Sequence, residues 1–336
     1  MKYILLLALA ACGDSPLQPD AAPPDDALAA HDSVAIDSAA DPTTLSLEGA
    51  ITPVHDPSVM SVDGIYMLFT TGTGLPVRTS LDLRTWSLSG QVFSAKPAWI
   101  TTTDSAHPND LWAPDISYFG GTYHLYYAAS KFGSNTSCIG HATSLSPTSG
   151  AWTDHGAVVC STSADTYNAI DPASFTDADG NQWLAFGSFW SGVKLVPLTE
   201  SGARAGTDLY ALSTRDDTAV EAPYLVYRDG WYYLFESVGL CCRGVDSTYE
   251  VRVGRAHDVR GPYVDADGIA LLAGGGTLVV TGAGRWKGPG HNAVLRTSSG
   301  DYNVYHSYDA DAGGTPTLRI AEMQWTADDW PRSAGP

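Results

Sequence analysis

Residues 54–69 read VHDPSVMSVDGIYMLF, where an Asp-Pro pair precedes a β-rich run, an Asp-Gly turn and an aromatic strand. Proline suits the first residue of a strand because it favours an extended conformation for the residue before it and has no N–H to give to a sheet. Four similar stretches follow: WAPDISYFGGTYHLYYAAS from Trp112, AIDPASFTDADGNQWLAFGSF from Ala169, VEAPYLVYRDGWYYLFES from Val220 and GPGHNAVLRTSSGDYNVYHSY from Gly288. The quoted stretch is therefore the first of five copies of one unit.

The spacing of the copies predicts the fold. When the copies are aligned on the aromatic residue after the turn, they lie 57, 60, 49 and 70 residues apart, at Tyr66, Tyr123, Trp183, Tyr232 and Tyr302. A unit of about four short strands that repeats five times is typical of a β-propeller. A β-sandwich is the competing all-β fold, but it does not predict fivefold internal similarity. We therefore predict an all-β, five-bladed β-propeller.

Acidic residues recur where the innermost strand of each blade begins. The aligned positions are Asp56, Asp115, Asp171, Glu221 and His291, with a slippage of up to two residues between copies. In a propeller these strands line one channel, so we expect the five side chains to form a ring. Two carboxylates ~5–8 Å apart repel by roughly 2–3 kcal/mol at an effective dielectric of about 20. Such repulsion raises the pKa of one carboxyl into the range of a general acid.

A pair of carboxylates, one acid and one base, is the machinery of glycosidic bond hydrolysis. A single Asp before Pro is usually a turn former, so this interpretation depends on the convergence of several copies. Three aromatic residues close to the ring, Trp112, Phe189 and Trp190, are candidates for stacking on sugar rings. Ordinary core packing is the alternative for these aromatic side chains.

Composition agrees with a β-rich sugar-binding protein. The 336 residues include 34 Gly, 10 Trp and 17 Tyr, a profile that suits tight turns and an aromatic-lined surface. The net charge of −19 argues against a nucleic-acid partner, because phosphate binding requires a basic surface. An acidic surface is compatible with a soluble protein and a neutral ligand.

The N-terminal residues resemble an export signal. A basic start at Lys2 leads to the apolar run ILLLALAA and then to Cys12. The run is too short for a membrane-spanning helix, which needs about 20 residues. Leu9-Ala10-Ala11-Cys12 resembles the bacterial lipobox, so we predict a signal peptide over residues 1–11 and a lipid anchor on Cys12, in the bacterial cell envelope (outer membrane or cell surface). An ordinary secretion signal with an incidental cysteine is the alternative, and it also exports the protein.

A polar segment separates this signal from the folded body. Residues 13–45 hold seven Asp with many Ala and Pro, and no Glu, Lys or Arg. Such a segment cannot bury enough apolar surface to fold. We therefore predict that residues 12–45 are the acylated cysteine and a disordered tether, and that residues 46–336 are one catalytic domain, which we expect to be monomeric.

Four further cysteines would be exported into an oxidising compartment. They form no CxxC pair and have no spaced His partner, so they do not indicate a zinc site. Cys241 and Cys242 either form a disulfide between adjacent residues or stay as thiols. Cys138 and Cys160 are candidates for a bridge between neighbouring strands, but the sequence leaves the pairing open.

An ordered set of motifs runs from about residue 50 to Pro331: VHDPSV, LWAPDISY, KFGSNTS, NAIDPASF, GSFWSGV, EAPYLV, CCRGVDSTYEVRVGRA, GPGHNAV and AEMQWTADDWP. With these motifs the body resembles the endo-1,5-α-L-arabinanases of glycoside hydrolase family 43, which are five-bladed propellers. The resemblance implies hydrolysis of arabinan with inversion of anomeric configuration. Cys138 departs from the family pattern, where a small residue other than Cys is expected.

The resemblance also implies a role for each matching residue. Asp56 would be the general base that activates water, Glu221 the general acid that protonates the leaving oxygen, and Asp171 the residue that tunes and orients the acid. Sugar contacts would come from His55, Trp112, Gly133, Asn168, Ala169, Ile170, Ser188, Phe189 and Trp190. His291 would hold a divalent metal ion, usually Ca²⁺, with water supplying most of the oxygen ligands. Without a metal, His291 would be a hydrogen-bonding residue of the channel. The resemblance transfers no role to Asp115.

Two alternatives stay open. Exo-acting arabinanases, arabinofuranosidases and xylosidases of related propellers close one end of the groove with a loop, which the sequence does not reveal. A non-catalytic surface lipoprotein that uses the propeller as a lectin would be expected to lack a catalytic acid, yet Asp56, Asp171 and Glu221 are all present.

Overall fold

The computed structural model describes residues 41–103, 106–216 and 219–336. The predicted signal peptide and the lipidation at Cys12 lie outside the described residues, as does most of the predicted tether. No helix in the described part is long and apolar enough to cross a membrane. Its helices are single 3-10 turns at Pro147–Ser149, Gly244–Asp246, Leu271–Ala273 and Ala310–Ala312.

Strands dominate the described residues. Those as far as residue 91 are β1 (Glu48–Gly49), β2 (Ser58–Val62), β3 (Ile65–Phe69), β4 (Gly72–Thr73), β5 (Pro76–Ser80) and β6 (Thr85–Gln91). The next are β7 (Asp110–Phe119), β8 (Thr122–Ala129), β9 (Ser137–Ser144), β10 (Thr153–Ser161), β11 (Ala173–Thr176), β12 (Gln182–Phe186), β13 (Val193–Leu198) and β14 (Tyr210–Ser213). The last are β15 (Val220–Arg228), β16 (Trp231–Val238), β17 (Glu250–Ala256), β18 (Thr277–Val280), β19 (Trp286–Thr297), β20 (Gly300–Asp309), β21 (Thr315–Trp325) and β22 (Pro331–Ser333).

These strands form five sheets, which are the five blades. Blade 1 contains β2, β3, β5 and β6, with β1 added beside β6; blade 2 contains β7 to β10, with β4 beside β7. Blades 3, 4 and 5 are the four-stranded sheets β11–β14, β15–β18 and β19–β22. The innermost strands contact one another in a closed cycle, β2 to β7, β11, β15, β19 and back to β2. The prediction of a five-bladed β-propeller is confirmed.

Burial differs between inner and outer strands because each blade packs on two neighbours. β16 is buried at seven of its eight residues, whereas β6 at the rim is exposed at six of seven. An apolar cluster fills each of the five interfaces between blades, including the one between blades 5 and 1, where Val59 and Leu68 meet Val304 and Leu318. In the described residues the closed ring therefore buries the inner strands of every blade and leaves the rim exposed.

The N-terminal segment links the last blade to the first. The Leu45 N–H donates to the Ile320 carbonyl at 2.8 Å, and the Val54 N–H donates to the Pro316 carbonyl at 2.9 Å, so this segment runs along β21. It then adds β1 in parallel to β6 of blade 1. Among the described residues, contacts with the propeller thus begin at Asp41, which pairs with Arg332 of β22, four residues before the predicted end of the tether.

The cysteines left open by the sequence take two different states. Cys138 and Cys160 form a disulfide between β9 and β10, and Cys241 and Cys242 are free thiols. The bridge therefore lies within blade 2, between two neighbouring strands.

Candidate active site

A left-handed backbone conformation recurs within or just before each innermost strand. The φ angles are 51° at Asp56, 45° at Ala113, 56° at Asp171, 53° at Ala222 and 51° at His291. Such values are uncommon outside glycine and often mark functional sites. The position is structurally equivalent in all five blades, and it resolves the slippage in the sequence alignment. Glu221 lies one residue before it and Asp115 two residues after it, so neither is equivalent to Asp56.

Asp115 belongs to a different layer of the channel from this position. Its carboxylate accepts hydrogen bonds from Ser174 N–H and Oγ, both at 2.7 Å, and from Ser58 Oγ at 3.4 Å. Burial raises the pKa of Asp115 to about 6 against these donors. Because Ser58, Asp115 and Ser174 belong to blades 1, 2 and 3, this acid ties three innermost strands together. The structure thus gives a packing role to the acid that the resemblance left without one.

Asp56 is surrounded by hydrogen-bond donors. Its Oδ1 lies 2.7 Å from His55 Nδ1 and 3.1 Å from His291 Nδ1, and its Oδ2 accepts from Thr71 Oγ1 at 2.5 Å. Burial by itself raises the pKa of Asp56, but the two imidazoles outweigh it and hold the pKa well below its usual range. Asp56 is therefore an ionised carboxylate, as a general base requires.

The two histidines packed against Asp56 have opposite protonation. Burial opposes a charge on His55, yet Asp56 outweighs it and raises the pKa of His55 well above normal. His55 Nε2 lies 2.7 Å from Tyr308 Oη, and its ring stacks on His306 at 3.9 Å between centroids. His306 accepts the Asp56 N–H at Nδ1, and burial holds its pKa well below normal. The charged His55 and the neutral His306 thus fix the orientation of Asp56.

None of the groups that donate to Glu221 carries a positive charge: they are two hydroxyls and the Cys241 thiol, and Cys242 raises the pKa of Glu221 electrostatically. It accepts hydrogen bonds from Ser188 Oγ at 2.5 Å and from Tyr249 Oη at 2.6 Å, and it is 5% exposed. Burial raises the pKa of Glu221, and these donors only partly offset the effect. Because its proton is retained to higher pH than in an ordinary glutamate, Glu221 is suited to the role of general acid.

Asp171 interacts with both Glu221 and Asp56. Its Oδ2 accepts the Ala222 N–H at 3.2 Å, next to Glu221 in the chain. Burial raises the pKa of Asp171 well above normal; His291 opposes this shift, and the negative charges of Glu221 and Asp56 add to it. Two neighbouring buried carboxyls cannot both ionise easily, so the negative charge of Glu221 favours a proton on Asp171.

The predicted sugar-contacting residues divide into exposed and buried groups. Phe189 and Trp190 are 38% and 46% exposed. With Val220, which precedes Glu221, they line a cavity of about 430 Å³. Trp112 is half-buried on β7, and Gly133 is exposed in a loop where its φ of 73° favours glycine. His55 is half-buried beside Asp56, and the remaining four, Asn168, Ala169, Ile170 and Ser188, are buried.

Burial changes what two of these residues can do. Ala169 has no accessible surface, so it packs inside the protein under its own segment and not against a sugar. Ser188 is bonded to Glu221 and thus orients the acid. Exposed aromatic faces next to a buried acid are an arrangement that can hold a sugar ring close to a proton donor.

Sequence reasoning missed several residues that bond to Asp56, Glu221 and His291. A hydroxyl lies five residues after the aligned aromatic in four of the five copies, at Thr71, Ser188, Ser237 and Ser307. Thr71 bonds to Asp56, Ser188 bonds to Glu221, and Ser237 Oγ accepts the His291 N–H at 2.8 Å. The alignment of the five copies could therefore have predicted these hydroxyls. Tyr249, His306 and Tyr308 have no repeated position that could have revealed them.

His291 is the residue predicted to hold a metal ion. Because its Nδ1 faces Asp56, only Nε2 is left for an ion, and the described part of the chain gives that atom no hydrogen bond. His55, Asp56 and His306 also have donor atoms within 4.8 Å of one another, but this nitrogen-rich set is already bonded internally and suits a transition metal better than Ca²⁺. The residues present therefore fit an ion held by one imidazole and otherwise by water.

Comparison with known proteins agrees with this geometry. Residues 51–331 match the family Glycosyl hydrolases family 43. The chain belongs to this family. This glycoside hydrolase is 43% identical, over 83% of its chain and 87% of the relative, to the extracellular endo-α-(1→5)-L-arabinanase 1 of Bacillus subtilis. It is 38% identical to the extracellular exo-α-(1→5)-L-arabinofuranosidase ArbA of Cellvibrio japonicus, over 83% of its chain and 86% of the relative.

The fold of this family 43 hydrolase also matches solved structures. The GH43 endo-arabinanase from Bacillus licheniformis superposes with a TM-score of 0.81 at 44% identity, covering 86% of this chain and 99% of that one. The described propeller is therefore shared almost end to end with an endo-acting enzyme.

Proposed function

We propose that the protein is an endo-1,5-α-L-arabinanase that cleaves internal bonds of arabinan with inversion. The observation that carries this proposal is the opposite electrostatic environment of two buried acids. Asp56 is held ionised by His55 and His291, while burial makes Glu221 keep its proton to higher pH, and Asp171 accepts the backbone N–H of the residue after Glu221. The similarity to proteins named as arabinanases supports arabinan as the substrate.

The reaction follows from these protonation states. Asp56 takes a proton from a water molecule, whose oxygen forms a bond to the anomeric carbon. The bond from that carbon to the leaving oxygen breaks, and Glu221 gives its proton to this oxygen. Asp56 is then protonated and Glu221 ionised, and exchange of one proton with solvent restores both groups. Thr71 and His55 hold the base in place, and Ser188 and Tyr249 hold the acid.

We assign His291 Nε2 as the single protein ligand of a hydrated divalent cation, with Ca²⁺ as the expected ion. When bound, such an ion would supply positive charge near the ring of acids. The residue's own part is to keep Nδ1 directed at Asp56 and to help hold that carboxyl ionised.

Export is the proposed location, because two relatives are named extracellular. We propose that Cys12 carries a lipid that anchors the enzyme to the cell envelope. This proposal predicts that arabinanase activity sediments with membranes, and that Cys12→Ser releases it into the soluble fraction. Equal sedimentation of both proteins would exclude the anchor.

Product analysis on linear arabinan tests the main proposal. An endo enzyme lowers the viscosity rapidly and releases mixed oligosaccharides at early times. Release of one short product from the start would favour the exo mode, which the similarity to the Cellvibrio japonicus enzyme keeps as the second candidate. A parallel reaction with a chelator, followed by addition of Ca²⁺, tests whether a metal ion contributes.

A further inference from the structure

The Cys138–Cys160 disulfide lies at the end of an irregular edge strand. β10 is the outermost strand of blade 2, and its pairing with β9 shifts register between Asp154 and Gly156 and again between Ala157 and Val159. Three regular pairs remain beyond the second shift: Val159 with Ile139, Cys160 with Cys138, and Ser161 with Ser137. Because short ends of edge strands open easily, the covalent link holds together a part of the sheet that hydrogen bonds alone would hold weakly.

The pair next to the disulfide faces the protein interior. Side chains alternate between the two faces of a strand, so Ser137 and Ser161 point inward where the cysteines point outward. Both serines are buried, at 1% and 3% exposure. Ser137 Oγ donates to Asn168 Oδ1 at 2.7 Å, and Ser161 Oγ accepts the Ala169 N–H at 2.9 Å. Hydrogen bonds therefore hold segment 168–170 to the last residue pair of the β9–β10 ladder.

Segment 168–170 leads directly to the active site. Its Ile170 carbonyl accepts the Gly187 N–H at 2.8 Å, and Gly187 precedes Ser188, the hydroxyl donor to Glu221. Asp171 follows the segment, but it has an anchor of its own in the Ala222 N–H. Glu221 likewise keeps the Tyr249 hydroxyl as an anchor outside the segment, so we expect a shift of the segment to weaken sugar binding more than it displaces the two carboxyls.

We propose that the Cys138–Cys160 disulfide is a positioning element for the arabinan subsite built on segment 168–170, and that it acts through Ser137 and Ser161. This inference rests on the proposed function. A subsite contacts the sugar in the ground state and in the transition state alike, so loosening it raises KM and leaves kcat nearly unchanged.

The test uses the full-length enzyme with Cys138→Ser and Cys160→Ser combined. We expect KM for linear arabinan to rise about fivefold, equivalent to ~1 kcal/mol, with kcat changed less than about twofold. Ser137→Ala and Ser161→Ala, each with the disulfide intact, should raise KM by a similar factor. These two variants keep the test valid if the cysteine variant does not fold.

The matched control lies at the other end of the same strand pair. His155→Ala removes the contact between His155 Nε2 and Thr143 Oγ1 at 2.7 Å, and it should leave KM unchanged. An unchanged KM in the cysteine variant with a lowered melting temperature would overturn the inference, because the disulfide would then only stabilise the fold. Unchanged KM in both serine variants would also overturn it. A wild-type enzyme without activity on arabinan would instead refute the proposed function.

Discussion

Asp56 in blade 1 and Glu221 in blade 4 occupy almost the same place in their blades, yet their carboxyls are held in opposite protonation states. Both are buried acids at the entry to an innermost strand, and burial alone raises both pKa values. Asp56 faces His55 and His291, whose positive charges reverse the effect. Glu221 faces the hydroxyls of Ser188 and Tyr249, which are too weak to reverse it.

The difference shows that the position in the repeat does not decide the chemical role. A carboxyl in a low-dielectric site responds mainly to the charge of its neighbours, and neutral donors contribute less than cations. The propeller provides similar positions, and the residues that reach them from other strands lower the pKa of Asp56 and leave that of Glu221 raised.

The largest expected effect distinguishes the proposed general acid from the proposed general base by how each variant responds to a better leaving group. Glu221→Gln should lower kcat on arabinan by roughly 10³-fold, within the range for general acid catalysis, with little change in KM. On an aryl arabino-oligosaccharide with a nitrophenolate leaving group the loss should be much smaller, because that group departs without a proton. Asp56→Asn should lose activity equally on both substrates, since the attacking water is needed in each case.

Initial rates on the two substrates give the measurement, and Asp115→Asn is the control. Asp115 is a buried acid of the same channel that bonds to Ser174 and to neither catalytic acid, so its replacement should change kcat by less than about threefold. If Asp56→Asn were the variant that kept more activity on the aryl substrate than on arabinan, the assignments of acid and base would be reversed.

Folding stability should change in opposite directions in the two variants, by about 1–3 kcal/mol. Glu221 has a raised pKa, so its contribution to stability is fully present below its ordinary value of 4.5 and is lost as pH rises. Glu221→Gln should therefore stabilise the protein at pH 7 relative to pH 4. Asp56 has a lowered pKa, so its contribution is present above 3.8 and is lost as pH falls. Asp56→Asn should destabilise the protein at pH 7, and the difference should shrink in acid.

Urea unfolding of both variants and the wild type at pH 7, at about pH 4 and at about pH 2.5 checks this contrast, because the Asp56 contribution falls only below 3.8. Destabilisation of equal size by both replacements at pH 7 would show that the two environments do not differ as the structure indicates. The measurement does not depend on the substrate, so it tests the electrostatics separately from the proposed activity.

The smallest effect concerns two of the four repeated hydroxyls, Thr71 and Ser188. Thr71→Val and Ser188→Ala each remove one donor to a catalytic carboxylate and should lower kcat about fivefold, or ~1 kcal/mol. Loss of a donor raises the pKa of the carboxyl. Thr71→Val should therefore move the acidic limb of the pH–rate profile to higher pH, and Ser188→Ala should move the basic limb to higher pH.

Ser307→Ala is the matched control, because Ser307 has the same repeat position in blade 5 but donates to the Lys287 carbonyl at 2.8 Å. Ser307→Ala should leave both limbs of the pH–rate profile unchanged. A shift of the same limb in Thr71→Val and Ser188→Ala would mean that the two hydroxyls do not act on different catalytic groups.

The fold could be predicted almost completely because its signal is local and repeated. Turn residues, Pro at strand starts and period-2 alternation recur in each of five copies, and each copy specifies one blade without reference to the others. The alignment failed only at the ring, where Asp115 and Glu221 were counted with Asp56. An offset of one or two residues does not change the pattern of apolar residues, so nothing in that pattern could correct the alignment.

The sequence by itself determined the number of blades, the acids that would line the channel and the hydroxyls that recur beside them. Tertiary structure decided the protonation of each acid, because its neighbours come from distant parts of the chain. His306, which orients Asp56, lies 250 residues away from it, and Tyr249, which donates to Glu221, lies 28 residues away. A pKa depends on charges within a few ångströms and on the exclusion of water, and both are set only when the ring of blades closes.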